Sequence, residues 1–83
     1  MDTNIIKDIL KNHCINSAIL VDEGTSCNIV ICSMTSDISF DRWTNLENLL
    51  KYCTKKEIHL SSYPQVKKHL KDEYLEKGVI LNA

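Results

Sequence analysis

Apolar positions near the start of the chain recur every three or four residues. Between Thr3 and His13 they fall on one stripe of a helix, and Asp2 or Thr3 is available to cap its first turn. The stripe consists of Ile5, Ile6, Ile9, Leu10 and His13. This spacing predicts a first helix with one buried face.

Two apolar runs rich in β-branched residues follow. The first extends from Ile15 to Val21 and the second from Cys27 to Cys32. The polar segment 22–26 between them contains Gly24 and is typical of a tight turn. Because the link is short, we expect the two runs to pair as antiparallel strands.

A second helical stripe occupies the middle of the chain, after a polar connection over 33–40. Asp41 is a good N-cap for it, and we expect the helix to extend to Thr54. The stripe is formed by Trp43, Leu46, Leu49, Leu50 and Cys53. We expect these side chains to face the core.

The last third of the chain predicts a strand, a helix and a second strand. From Glu57 to Ser61 the residues alternate, so that Ile58 and Leu60 share one face and His59 points to the other. Ser61 and Pro64 then form a helix-start signal. The predicted buried side of this third helix is Val66, Leu70, Tyr74 and Leu75. Gly78 is expected to end the helix as a C′ residue, before a last strand from Val79 to Leu81.

These elements occur in the order α-β-β-α-β-α-β. A helix between the second and third strands, and another between the third and fourth, implies right-handed crossovers beside an antiparallel hairpin. We therefore expect an α/β (α+β) fold with a small four-stranded mixed sheet and three helices. The 83 residues are enough for one core and too few for two, so residues 1–83 are expected to form a single domain.

Composition narrows the classes of function. A net charge of −1 argues against a nucleic-acid-binding protein, because phosphate binding needs an excess of clustered basic residues. No apolar stretch approaches the length that spans a bilayer, and the chain start lacks a secretory leader, so we expect a cytoplasmic protein. A chain this small buries a limited fraction of its surface, which favours a protein partner or a homo-oligomer.

Four cysteines and three histidines raise the question of a metal site. No C-x-x-C or H-x-x-x-H pair is present, so we expect no metal and no cofactor. We expect Cys14, Cys32 and Cys53 to pack in the core as small hydrophobic residues. Cys27, at the mouth of the Gly24 turn, is the only thiol with a plausible exposed position, although a cysteine at the start of a strand is more often structural than reactive.

The order of elements and the closing segment KEIHLSSYPQVKKHLKDEYLEKGVILN resemble the minimal nucleotidyltransferase domains of the DNA polymerase β superfamily, found as antitoxins beside HEPN proteins. In that family one strand carries Ser-Asp-x-Asp and a neighbouring strand supplies a third aspartate. Carboxylates so placed hold the divalent metals that activate a nucleoside triphosphate. The resemblance implies that Asn28, Val30 and His59 occupy these positions, as the vestiges of an active site without catalytic residues.

Three functional hypotheses follow. The leading one is a non-catalytic nucleotidyltransferase-like protein-interaction module, an antitoxin-like partner of a HEPN-type protein. One alternative is a small phage or mobile-element inhibitor that blocks a larger enzyme. The other is an active nucleotidyltransferase that uses the loop carboxylates Asp22, Glu23 or Asp37. The candidate partner-binding surfaces are the polar sheet face around Asn28 and His59, the 34–40 loop with Asp37, and Tyr63 and Tyr74, since exposed aromatic side chains often anchor interfaces.

Overall fold

The computed structural model of the chain describes residues 3–82. Its elements confirm the predicted order and the predicted class of fold. They are α1 (Thr3–Asn12), β1 (Ile15–Asp22), β2 (Ser26–Met34), α2 (Phe40–Thr54), β3 (Glu57–Ser62), α3 (Lys68–Lys77) and β4 (Val79–Asn82), with a 3₁₀ turn at Tyr63–Gln65.

The four strands form one mixed sheet in the order β3-β2-β1-β4. β1 runs antiparallel to both β2 and β4, and β2 runs parallel to β3. The hairpin and the parallel crossover through α2 are therefore both confirmed. β3 and β4 are the two edges of the sheet.

The two faces of the sheet are covered to different extents. On one face α1 and α2 build the larger core, in which Leu10, Leu46 and Leu50 are completely buried against the strands. On the other face Tyr63 of the 3₁₀ turn, Val66 of the extended segment after it and Tyr74 of α3 pack on Ile19, Val21 and Val30. No residue of α3 is fully buried. The second face is thus only partly covered.

The start of α2 differs from the prediction by two residues. The N-cap is Ser39, whose hydroxyl oxygen accepts a hydrogen bond from the Arg42 N–H at 3.3 Å. Asp41 instead lies in the first turn, where its negative charge interacts favourably with the helix dipole. The cap prediction on Asp41 is wrong because Ser39 offers the same chemistry two residues earlier.

The third helix also begins later than expected. Pro64 belongs to the 3₁₀ turn, and Val66 and Lys67 are extended, so that α3 starts at Lys68. Val66 still packs on the sheet, from outside the helix. Leu75, predicted to be buried, is 48% exposed because it is turned away from the Tyr74 stripe.

Gly78 ends α3 as predicted, although for a different physical reason. Its φ of −85° is extended, not left-handed. A side-chain carbon at this position would collide with the Ile19 side chain and with the Tyr74 carbonyl oxygen. Glycine is therefore required here by the close approach of the backbone to β1.

Over residues 3–82, no helix has both the length and the apolar character that a membrane span requires.

Candidate functional site

The strand register brings two of the three positions named by the resemblance, Asn28 and His59, side by side. Asn28 on β2 is the partner of His59 on β3, and the two side chains lie on the sheet face that carries α3. Val30 pairs with Ser61 and is completely buried beneath the 3₁₀ turn and α3. Asn28 and His59 therefore line a surface, whereas Val30 is part of the core.

A polar cleft of about 470 Å³ opens between this part of the sheet and α3. It is lined by Asn28, His59, Ser61, Gln65, Val66, Lys67, His69, Leu70 and Tyr74. None of these residues is a carboxylate. Because Mg²⁺ prefers carboxylate and phosphate oxygens, this lining does not supply the ligand set of a nucleotidyltransferase.

The two polar side chains on the cleft floor already have carboxylate neighbours. The Asn28 amide donates a hydrogen bond to Glu23 Oε1 at 3.0 Å. His59 Nε2 lies 3.7 Å from Glu57 Oε1, and both of these side chains are mostly exposed. These contacts give Asn28 and His59 a role in ordering the rim of the cleft.

The loop carboxylates do not converge on one site, although Glu23 contacts Asn28 at the edge of the cleft. Asp22 and Glu23 precede β2 and Asp37 follows it, so the nine residues of this strand hold them roughly 25 to 30 Å apart. Across residues 3–82, His, Cys, Asp and Glu side chains form no group of three that could hold a metal ion. This separation provides no support for an active site built from Asp22, Glu23 and Asp37.

Asp22 has a structural partner of its own. Lys56 Nζ lies 2.7 Å from Asp22 Oδ1, and the Gly24 N–H donates to the same oxygen at 3.0 Å. The Lys56 hydrogen bond, followed by the Gly24 N–H, holds the pKa of this carboxyl below its usual range. The side chain thus ties the hairpin turn to the start of β3.

The thiols are distributed differently from the expectation. Cys27 is completely buried in the larger core, where desolvation raises its pKa to about 11, so its predicted exposure is wrong. Cys32 on β2 and Cys53 on α2 are exposed, because the residues packed against these elements do not cover them. Cys14 is half-buried, and its pKa is lowered by hydrogen bonds from Ser36 and Thr35.

The predicted partner-binding residues lie in separate places. Tyr63 and Tyr74 are half-buried against the second sheet face, and Lys71 Nζ lies 4.7 Å from the centre of the Tyr63 ring. Asp37 is exposed in the loop before α2 and lines a shallow cavity near Pro64. Their role in binding a partner stays a prediction.

The sequence placed the 34–40 loop among the candidate partner surfaces, but it did not predict the groove that this loop helps to form on the opposite side of β3. This aromatic groove has a volume of about 620 Å³ and is lined by Ile38, Phe40, Trp43, Leu60, Ser61, Ser62 and Gln65. Phe40 is 83% exposed, while Ile38, Trp43 and Leu60 rest on the larger core. The sequence carried one signal for it, since Ile38 and Phe40 are apolar residues in an otherwise polar connection.

No family model, curated protein or solved structure matches this chain. The resemblance to minimal nucleotidyltransferases accordingly rests on sequence pattern and element order. The chemistry of the chain has to be inferred from its own surfaces, of which the aromatic groove and the polar cleft are the most structured.

Proposed function

We propose that this chain is a non-catalytic, nucleotidyltransferase-like domain that binds another protein through the aromatic groove. The observation that carries the proposal is the 83% exposure of Phe40 at the rim of an apolar groove beside an edge strand. Large aromatic side chains at the rim of a groove are characteristic anchors of protein interfaces.

The chemistry of the aromatic groove fits an extended protein segment with an apolar anchor. Trp43 and Leu60 supply apolar walls, while Ser62 and Gln65 supply hydrogen-bonding groups at one end. β3 is an edge of the sheet, so its outward N–H and C=O groups are available for an added strand. A partner that pairs with β3 would place one of its side chains against Phe40.

The non-catalytic part of the proposal is supported by the residues at the sheet positions where nucleotidyltransferases carry their metal-binding carboxylates. Asn28 and His59 are not carboxylates, and Val30 is buried. The resemblance to the minimal antitoxin domains favours a HEPN-type protein as the partner, and a larger enzyme is the alternative. Co-expression with the products of neighbouring genes, followed by affinity purification, tests which partner is bound.

A photo-crosslinking experiment tests the groove directly. Phe40 and Tyr52 are both exposed aromatic residues of α2, at 83% and 80%. Twelve residues of helix separate them by about 18 Å. With benzoylphenylalanine at one position or the other in the native host, we expect a discrete crosslinked protein from position 40 and none from position 52.

The same pair of positions gives a loss-of-binding test with the crosslinked protein. Phe40→Ser should abolish its co-purification, and Tyr52→Ser should leave it unchanged. Equal capture by both variants, or crosslinks from position 52 alone, would show that the aromatic groove is not the binding surface.

Isothermal titration with Mg-ATP tests the non-catalytic part of the proposal separately. We expect only heats of dilution, because the polar cleft lacks the carboxylates that would bridge magnesium to phosphate. Tight binding that disappears when EDTA is added would overturn this part, whatever the outcome of the crosslinking.

A further inference from the structure

The second edge of the sheet, β4, lies far from the aromatic groove. β4 hydrogen-bonds to β1 on one side only, so in the sheet formed by residues 3–82 its outer side is unpaired. Alternate residues of such an edge strand turn their main-chain N–H and C=O groups outward. These groups form a ready template for another strand.

Apart from its short length, β4 carries none of the features that usually protect an edge. The strand Val79–Asn82 contains no charge, no proline and no bulge. Val79 and Ile80 point to opposite faces of the sheet and are 55% and 57% exposed. Leu75 on α3, four residues before the strand, adds a third apolar side chain that is 48% exposed.

We propose that two copies of this chain pair through β4, antiparallel about a two-fold axis, to form a continuous eight-stranded sheet. An antiparallel pair of identical strands is self-complementary, because each residue makes on one copy the contact that it receives on the other. Both sides are neutral, so no like charges oppose one another across the new strand pair.

The alternative of pairing β4 with β3 of another copy is less favourable. β3 presents Glu57 and His59 at its exposed edge. Such a head-to-tail contact would also leave one free edge of each kind and extend into a filament, whereas the two-fold pair closes on itself. A second copy in two-fold arrangement is therefore the occupant that the β4 edge fits.

The contact area sets the expected strength. Each partner gives about 800 Å² to a standard interface, and four strand residues with three half-exposed apolar side chains provide less than this. We therefore expect a weak, concentration-dependent dimer whose interface is completed by the flanks of α1 and α3. This inference is independent of the proposed partner at the aromatic groove.

Sedimentation equilibrium over a concentration series tests the dimer. The unmodified chain should shift from monomer to dimer, and Ile80→Lys should weaken self-association by at least about tenfold, since it places a charge on the two-fold contact. Tyr52→Lys is the matched control, because it adds the same charge at an exposed aromatic position away from β4, and it should dimerise as the unmodified chain does. A chain that stays monomeric at all concentrations would overturn the proposal.

Cysteine crosslinking identifies the contact independently of stability. With Cys14, Cys32 and Cys53 replaced by serine, Ile80→Cys should form a covalent dimer with copper-phenanthroline as the oxidant, and Phe40→Cys should not. Circular dichroism confirms that each variant is folded. A dimer that crosslinks through position 40 but not through position 80 would overturn the β4 arrangement.

Discussion

The two edges of the sheet differ in charge, in length and in what lies beside them. β3 is six residues long, carries exposed Glu57 and His59, and is bordered by the aromatic groove on one face and the polar cleft on the other. β4 is four residues long, uncharged and bordered by half-exposed aliphatic side chains. One edge is chemically varied, and the other is uncharged and mostly apolar.

This difference indicates that the edges select different partners. Charges on β3 oppose pairing with a second copy of itself, yet the adjacent groove offers a specific anchor site for a different protein. β4 carries no charge that would oppose a second copy of itself. Because an antiparallel pair of identical strands is self-complementary, an identical strand is the simplest match for it. A small domain can in this way keep a surface for a partner while covering its most aggregation-prone edge.

The largest expected effect concerns the way β4 is attached to the sheet. Gly78→Val should destabilise the fold by about 4 kcal/mol, a large part of the stability of a domain this small, because the new side chain would collide with Ile19 and with the Tyr74 carbonyl. Urea unfolding monitored by circular dichroism measures this loss.

Gly24→Ala is the control for that substitution. Gly24 has a φ of +90° but open space around its α-carbon, so only backbone strain of about 1 kcal/mol is expected. If Gly24→Ala costs more than Gly78→Val, close packing at the start of β4 is not what fixes this strand.

A matched pair of isoleucines compares the edges themselves. Ile58 on β3 is 1% exposed and Ile80 on β4 is 57% exposed. Ile58→Ala should cost about 3 kcal/mol by leaving a cavity in the larger core, and Ile80→Ala should cost under about 1 kcal/mol. Chemical denaturation at low protein concentration, where the chain is monomeric, measures both. Similar costs at the two positions would mean that the edges are buried to a similar extent.

The sequence predicted most of the fold because its two periodicities are clear. Alternation placed Ile58 and His59 on opposite faces of β3, and the helical spacing of Leu46 and Leu50 located the side of α2 that is buried. The start of α3 was not predictable in this way. Val66 is apolar and fits the helical spacing, yet it packs on the second face of the sheet as part of an extended segment. The chain crosses this face before α3 begins.

The candidate site could be predicted only in part. Strand alternation and pairing account for the meeting of Asn28 and His59. The aromatic groove depends on Phe40, Trp43 and Leu60 from two elements that meet only in the folded chain. Single-element patterns describe which face is buried, but they do not show where the packing of two elements leaves a gap.

The smallest expected effect concerns the ion pair between Asp22 and Lys56, which connects the hairpin turn to the start of β3. Lys56, just before β3, binds Asp22 at 2.7 Å across 34 residues of sequence, whereas the α3 pair Glu73 and Lys77 at 2.8 Å is a local i,i+4 contact. Both carboxyls have a lowered pKa, chiefly through their lysine partners. A carboxyl whose pKa is lower in the folded state stabilises the fold above its unfolded pKa of about 4, and this stabilisation is lost as the pH falls through the folded value.

We therefore expect Asp22→Asn to lower the thermal midpoint at neutral pH, and the difference from the unmodified chain to vanish in acid once the pH lies below the lowered folded pKa of Asp22. Glu73→Gln is the control on the β4 side. It should lower the midpoint less, because Lys56 is more buried than Lys77 and a local pair on a solvated helix adds little. Thermal unfolding across this pH range compares the two variants. If Asp22→Asn differs from the unmodified chain by the same amount in acid as at neutral pH, the ion pair is not what ties the hairpin turn to β3.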